Sequence, residues 1–387
     1  MDLTDYCRIG RITDLKAYCS QEGVTAAQVR NTRALQEACK HGHLEAACWL
    51  QQTFQLTVED ARAMDNMALL VACAYGHLKV ASWLQRTFQL TADDARAMDN
   101  AALRVACVEG HLEVARWLQQ TFQLTTVDAR AADNDALRRA CANGHLEIAC
   151  WLRLTFQLNA DDARSENNYA LHVACKAGHI GVARWLQRTF QLTADDARVD
   201  DNVILRAACA NGHVEVARWL LQTFQLTADD ARVAENYVLR SACAQGHLEF
   251  ASWLQQTFQL TALDARAAND KALQLACRGG HLEVARWLQH TFQLTADDAR
   301  ASDNYALLIA CTNGYLEVAR WLQQTFHLTA ADIRVDGDLA LLNACRNGHL
   351  DIVCWIQQTW GIPSDVLTNI ISTRINSACA AYLRSLC

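Results

Sequence analysis

The 387-residue chain has a single proline and only 16 glycines. So little punctuation argues against a β-sandwich, a collagen-like chain or disordered low-complexity sequence. No stretch has the roughly 18 consecutive apolar residues that a bilayer helix needs, so no membrane contact is expected. No run of one charge sign interrupts the sequence, and its net charge is −7. A phosphate backbone calls for a basic surface, so no nucleic-acid partner is expected. The opening MDLTDYCRIGRITDL has no apolar signal core, and the expectation is a soluble, cytoplasmic protein. A nucleophile elbow, phosphate loop, paired catalytic carboxylates and dinucleotide fingerprint are all lacking. No catalytic residue and no cofactor is therefore expected, and the chain reads as non-enzymatic.

What it has instead is one phrase repeated. Cys39, Cys73, Cys107, Cys141, Cys175, Cys209, Cys243, Cys277, Cys311 and Cys345 follow one another in steps of 34 residues, and a tryptophan recurs with the same step from Trp49 to Trp355. A fixed period of this size marks a stack of supersecondary units. Length alone would suggest two or three domains, but a solenoid grows by adding units to one continuous core. Of the 17 cysteines, the ten periodic ones occupy equivalent places in adjacent units. Packed helices lie about 8–10 Å apart, which is beyond disulfide reach. They are expected to be reduced, buried and apolar in character.

Residues 100–133 represent one unit. Asn100 stands where an N-cap would. Leu103, Ala106 and Cys107 share one face of the run AALRVACVEG, and Gly110 is placed to end that helix. In HLEVARWLQQTF, Leu112, Ala115, Leu118 and Phe122 form one stripe, widened by Val114 and Trp117, which predicts a longer amphipathic second helix. Thr125 with Asp128 has near capping-box spacing, and Thr91/Asp94, Thr227/Asp230 and Thr295/Asp298 repeat it. A short extra helical turn is expected there. Arg130 recurs as Arg62, Arg96, Arg164, Arg198, Arg232, Arg266, Arg300 and Arg334. It is expected to tie the linker to a neighbouring carboxylate or helix end.

ACRGGHLEVARWL (residues 276–288) resembles the ankyrin-repeat phrase, and YALHVAC (169–175) resembles its Thr-Pro-Leu-His opening, with Leu171 and His172 in place. The resemblance covers about residues 32–361. It is strong in the second helix and weak in the first, where Thr-Pro gives way to pairs such as Tyr169-Ala170. The usual Gly-Ala-Asp loop is replaced by TFQLTADDAR, and the unit is 34 residues long, not 33. These departures put β-hairpin fingers in doubt. The resemblance implies an all-α, ankyrin-like solenoid of about ten helix-turn-helix repeats with short extra turns between them. A capping half-repeat is expected over 1–31, the repeats over 32–361 and capping helices over 362–387.

Cys-x-x-x-His recurs at Cys39/His43, Cys73/His77 and Cys107/His111. Zinc wants four converging ligands, and here a glycine turn separates the two, so no metal site is expected. In ankyrin-like units the histidine stitches neighbouring loops, and Tyr315 replaces it once. The tryptophans lie in the apolar stripe and are expected in the core rather than as a stacking platform.

The repeats of this one chain differ mainly at three places: the residue after the Asn, the middle of the first helix and the pair before the glycine. In the ankyrin geometry these face the concave side. Tyrosine and arginine are favoured anchors. The candidate partner-binding residues are Tyr75, Arg104, Glu109, Arg138, Arg139, Asn143, Tyr169, Arg206, Asn211, Tyr237, Arg240, Gln245, Lys271, Tyr305 and Asn313. The expected function is a protein-interaction scaffold, acting as a monomer on an acidic or mixed protein surface. The alternative is a structural spacer without a dedicated partner.

Overall fold

The computed structural model describes residues 2–373 and 375–386. Met1 and Cys387, the outer limits of the two expected caps, and Arg374 within the second lie outside the described residues. Among the described residues every regular element is a helix. The chain divides into two compact units, Met1–Asp200 and Asp201–Cys387.

In the first unit the pattern is clearest between Thr91 and Gln123. Ala92–Val108 is followed by a turn and then by Leu112–Phe122. The turn is sharp because Gly110 adopts φ +85°, and a Cβ there would meet the His145 ring at 2.7 Å. His145 Nε2 in turn lies 3.0 Å from the Val108 carbonyl oxygen of the preceding repeat. Gly and His thus form one device: the missing side chain makes room for the ring that ties two loops together. Where Tyr315 replaces the histidine in the second unit, its ring occupies the same place over Gly280.

Leu103, Ala106, Cys107 and Leu118 are fully buried. Successive first helices pack side by side, and second helices pack on their own neighbours. The ten periodic cysteines lie in the buried layer, and those described in the chain are all free thiols. Burial pushes the Cys209 thiol up to about 12, so these groups are inert small apolar side chains.

The tryptophans depart from the core expectation. Trp355 is buried, but Trp83, Trp117, Trp185 and their equivalents are only half-buried. Trp117 sits at the edge of its helix's apolar stripe, beside the buried Leu118, and its ring meets Phe122 edge-on at 5.6 Å. The half-buried rings contribute to the surface of the second helices.

The stretch between units holds the main surprise. Thr91 forms a capping box with Asp94, whose carboxylate accepts from the Thr91 backbone N–H at 2.8 Å, as that of Asp128 does from Thr125 at 2.7 Å. The short turn expected there is present. It is followed by three consecutive left-handed residues: Met98, Asp99 and Asn100 at φ +53°, +55° and +58°. The same left-handed turn occurs at Ala132–Asn134 and Glu166–Asn168, and in the second unit at Ala234–Asn236 and Ser302–Asn304. Asn100 is therefore not the extended N-cap that its position suggested. Asparagine and aspartate tolerate this region better than other residues with a Cβ, which accounts for the Asp-Asn and Asn-Asn pairs.

Candidate protein-binding face

Seven of the linker arginines reach the capping-box aspartate of the next repeat. Arg62–Asp94, Arg96–Asp128, Arg130–Asp162 and Arg164–Asp196 all close at 2.7 Å. In the second unit Arg232–Asp264 and Arg300–Asp332 close at 2.8 and 2.7 Å. Arg334 has no such aspartate and donates to the Gly361 carbonyl at 3.1 Å. Burial raises the aspartate pKa, but the hydrogen bonds from arginine and from the N-cap residue (Thr125 for Asp128, Asn159 for Asp162) outweigh it, so Asp128 and Asp162 remain below the ordinary carboxylate range. The expected structural role of these arginines is the one observed.

This frame sets the first helices in a row, and the candidate side chains project from them. The arginines are more engaged than free anchors would be. Arg104 bonds Asp135 at 2.8 Å and donates to the Met98 and Asp99 carbonyls of its own left-handed turn. Arg138 donates to the Ala132 carbonyl at 2.9 Å and Arg240 to that of Ala234 at 2.6 Å. These bonds satisfy carbonyls that the left-handed turn removes from the helical ladder. Arg139 is more open: its side chain is 59% exposed while it holds Asp135 at 3.0 Å. Arg206 is half-buried.

The amides before the glycine also have partners. Asn143 donates to the Val108 carbonyl, Asn313 to that of Arg278 and Gln245 to those of Cys209 and Ala210. Asn211 bonds its own helix at the Ala207 carbonyl. Glu109 is exposed.

The tyrosines present their rings. Tyr75 and Tyr169 are 51% and 41% exposed, and Tyr237 and Tyr305 are half-buried. A cation lies over each ring: Lys40 at 5.5 Å from Tyr75, Arg138 at 5.3 Å from Tyr169, Arg240 at 5.8 Å from Tyr237 and Lys271 at 5.0 Å from Tyr305. Such contacts fix a ring without covering its edge.

Two surfaces were not singled out from the sequence. The left-handed turns present Asp65, Asp99, Asp133 and Glu166 to solvent, a row hidden in the sequence by its reading as helix start. On the second helices, Leu44, Leu78, Lys79, Ser82, Trp83 and Arg86 line a shallow groove of about 400 Å³. Its signal was Lys79, which stands where most repeats have glutamate. Among the described residues no group of His, Cys, Asp and Glu is arranged to hold a metal ion, and no helix is long and apolar enough to cross a membrane.

The family model for ankyrin repeats (three copies) matches residues 35–128 and 137–230. Residues 35–230 are ankyrin repeats. The chain belongs to that family, and its 34-residue phrase continues beyond the matched part to Trp355. No curated protein matches the chain. Ankyrin repeats generally mediate protein–protein interaction and are typically non-enzymatic modules. In this ankyrin array the departures from the usual unit are concentrated in the linker, where a left-handed turn replaces the hairpin finger and the arginine–aspartate pair locks it.

Proposed function

We propose that this ankyrin-repeat chain is a non-enzymatic scaffold that binds a partner protein on the first-helix face of its repeats, through the tyrosines and the open charges around them. The observation that carries the reading is the presentation of Tyr75 and Tyr169 in one unit and Tyr237 and Tyr305 in the other, each held by a cation, on a face whose residues differ from repeat to repeat while the frame stays constant. Ring edges fixed in advance lose little entropy on association. The arginine row contributes through the rings it holds rather than as free charge. An acidic or mixed partner surface fits Arg139 and Lys271, and a monomeric, cytoplasmic protein fits the buried, unpaired thiols. Residues 1–31 and 362–387 act as caps that close the two ends of the 32–361 array.

One observation favours the spacer reading: Arg104, Asn143, Gln245 and Asn313 are committed to the frame. A capture experiment separates the two. The full chain is immobilised beside a variant carrying Tyr75→Ala, Tyr169→Ala, Tyr237→Ala and Tyr305→Ala, and beside one carrying Arg116→Glu and Arg286→Glu on the second helices. Folding is checked by circular dichroism. A protein held by the wild type and the second-helix variant but lost from the tyrosine variant supports the proposal. Capture that is the same on all three baits favours the spacer.

A further inference from the structure

At the last residue of the left-handed turn the chain has Asn66, Asn100, Asn134, Asn168, Asn202, Asn236 and Asn304, but Asp270 and Asp338 in two repeats of the second unit; Asp338 is half-buried, lies 3.9 Å from Arg334 and has no capping-box aspartate opposite it. In the others the position is buried, and Asp270 is 8% exposed. What faces it is the capping-box aspartate of the next repeat. Where asparagine is present the pairing is favourable: Asn202 Nδ2 donates to Asp230 Oδ1 at 3.2 Å. Asp270 has no such donor. It faces Asp298, whose oxygens already accept from Arg266 Nε at 2.5 Å, Arg266 Nη2 at 2.9 Å and the Thr295 backbone N–H at 2.6 Å. Asp270 Oδ1, like the Oδ1 of the seven asparagines, is buried without a hydrogen-bond partner, and only on the carboxyl can that oxygen carry charge.

We propose that Asp270 makes this one junction of the array a proton-dependent joint, tight when the Asp270 carboxyl carries a proton and donates to Asp298, and loosened when it does not. The physical reason is that two carboxylates in one dry site cannot both ionise. Asp298 is the one that stays charged, because Arg266 and Thr295 hold it. The charged groups around Asp270 are Asp298, from the next first helix, which opposes its ionisation, and Arg266, from the preceding short turn, which favours it. The neighbouring Lys271 is turned away, over Tyr305 and towards Gln274. Burial first, and the Asp298 charge second, push the Asp270 carboxyl up to about 7, while Asp298 is held at about 2.

The sign follows from linkage. An unfolded aspartate ionises near pH 4. The folded group keeps its proton until about pH 7. The stability that depends on the shared proton is therefore complete below about pH 4, falls as pH rises between those values, and is constant above. The joint does not depend on whether the first-helix face binds a protein.

The test is hydrogen exchange of the full chain against Asp270→Asn, which restores the residue that seven other repeats carry and so folds. Rates are compared between the two proteins at each pH, which cancels the intrinsic exchange rate and the titration of every histidine. For backbone amides in residues 266–304, the wild-type rate divided by the variant rate should rise about tenfold per pH unit from pH 5 to 7 and level off above. Residues 92–122 should show a ratio that does not change with pH. Asn304→Asp, which places a carboxyl opposite Asp332, should create the same rise in residues 300–338. A ratio over 266–304 that stays constant from pH 5 to 8 would overturn the proposal, as would a rise shared equally by residues 92–122.

Discussion

At the scale of single residues, burial decides what each repeated side chain contributes. Leu220 is fully buried and Trp219 only half, although they are neighbours on one apolar stripe. Leu220→Ala leaves a cavity and should cost about 3 kcal/mol. Trp219→Ala removes an edge-on contact with Phe224 at 5.7 Å and part of an apolar surface, and should cost about 1–2 kcal/mol. Urea midpoints of the two variants check the order, and a larger loss for Trp219→Ala would put the ring back in the core. The sequence placed both on one face but could not separate its centre from its edge, because one helical period admits a stripe several residues wide. The histidines and glycines were more legible. His145 and Gly110 recur together, and each needs the other to close the turn.

At the scale of the element, the linker is where sequence and structure part. The arginine–aspartate tie could be read from Arg130 and from the Thr125–Asp128 spacing, since both recur with the period. The left-handed turn could not. Asn100 before a helix suggests a cap, and three successive residues at positive φ have no sequence signature beyond an excess of Asn and Asp. The turn gives a prediction opposite to the usual effect of glycine in a helix. Ala132 and Ala234 lie at φ +51° and +52°, are exposed, and have no side-chain group to compensate for the strained backbone. Ala132→Gly should raise stability by roughly 1 kcal/mol, and Ala234→Gly by a similar amount. A rise in thermal midpoint checks this; a fall would mean that the turn is not left-handed. The same element explains the fate of the arginine row. Arg138 and Arg240 looked like anchors because they vary among repeats, yet their guanidinium groups cap the carbonyls of the turn.

At the scale of the whole molecule, stability in a repeat array is a sum over neighbours, and one kind of contact is repeated through both units. Asp94, Asp128, Asp162, Asp196, Asp264 and Asp332 all titrate below the ordinary range. For all but Asp332 burial is the largest influence and acts upward, and the bonds from arginine and from the N-cap residue (threonine, or Asn159 for Asp162) exceed it; for Asp332 the Arg300 bond is itself the largest. Their folded pKa lies below the unfolded one, so their contribution is present above about pH 4 and is lost as pH falls below it. Helical circular dichroism at 25 °C should therefore hold near pH 5 and decline between about pH 4 and 2. A chain that keeps its helices with unchanged urea resistance at pH 2 would show that the ladder adds nothing. The period made this repetition visible in the sequence. The binding face was less legible, because variation between repeats marks where a residue is free to change and does not separate a partner's contact from a frame contact such as Asn143 to Val108.

The most direct measurement on that face is hydrogen exchange of the full chain with and without a captured partner. Slower exchange should appear in the first helices, over residues 101–109, 135–143 and 169–177 in one unit and 237–245, 271–279 and 305–313 in the other, with the second helices such as Leu112–Phe122 unchanged. Protection confined to the second helices, around Trp83 and Trp117, would contradict binding on the first-helix face and move the site to the outer groove.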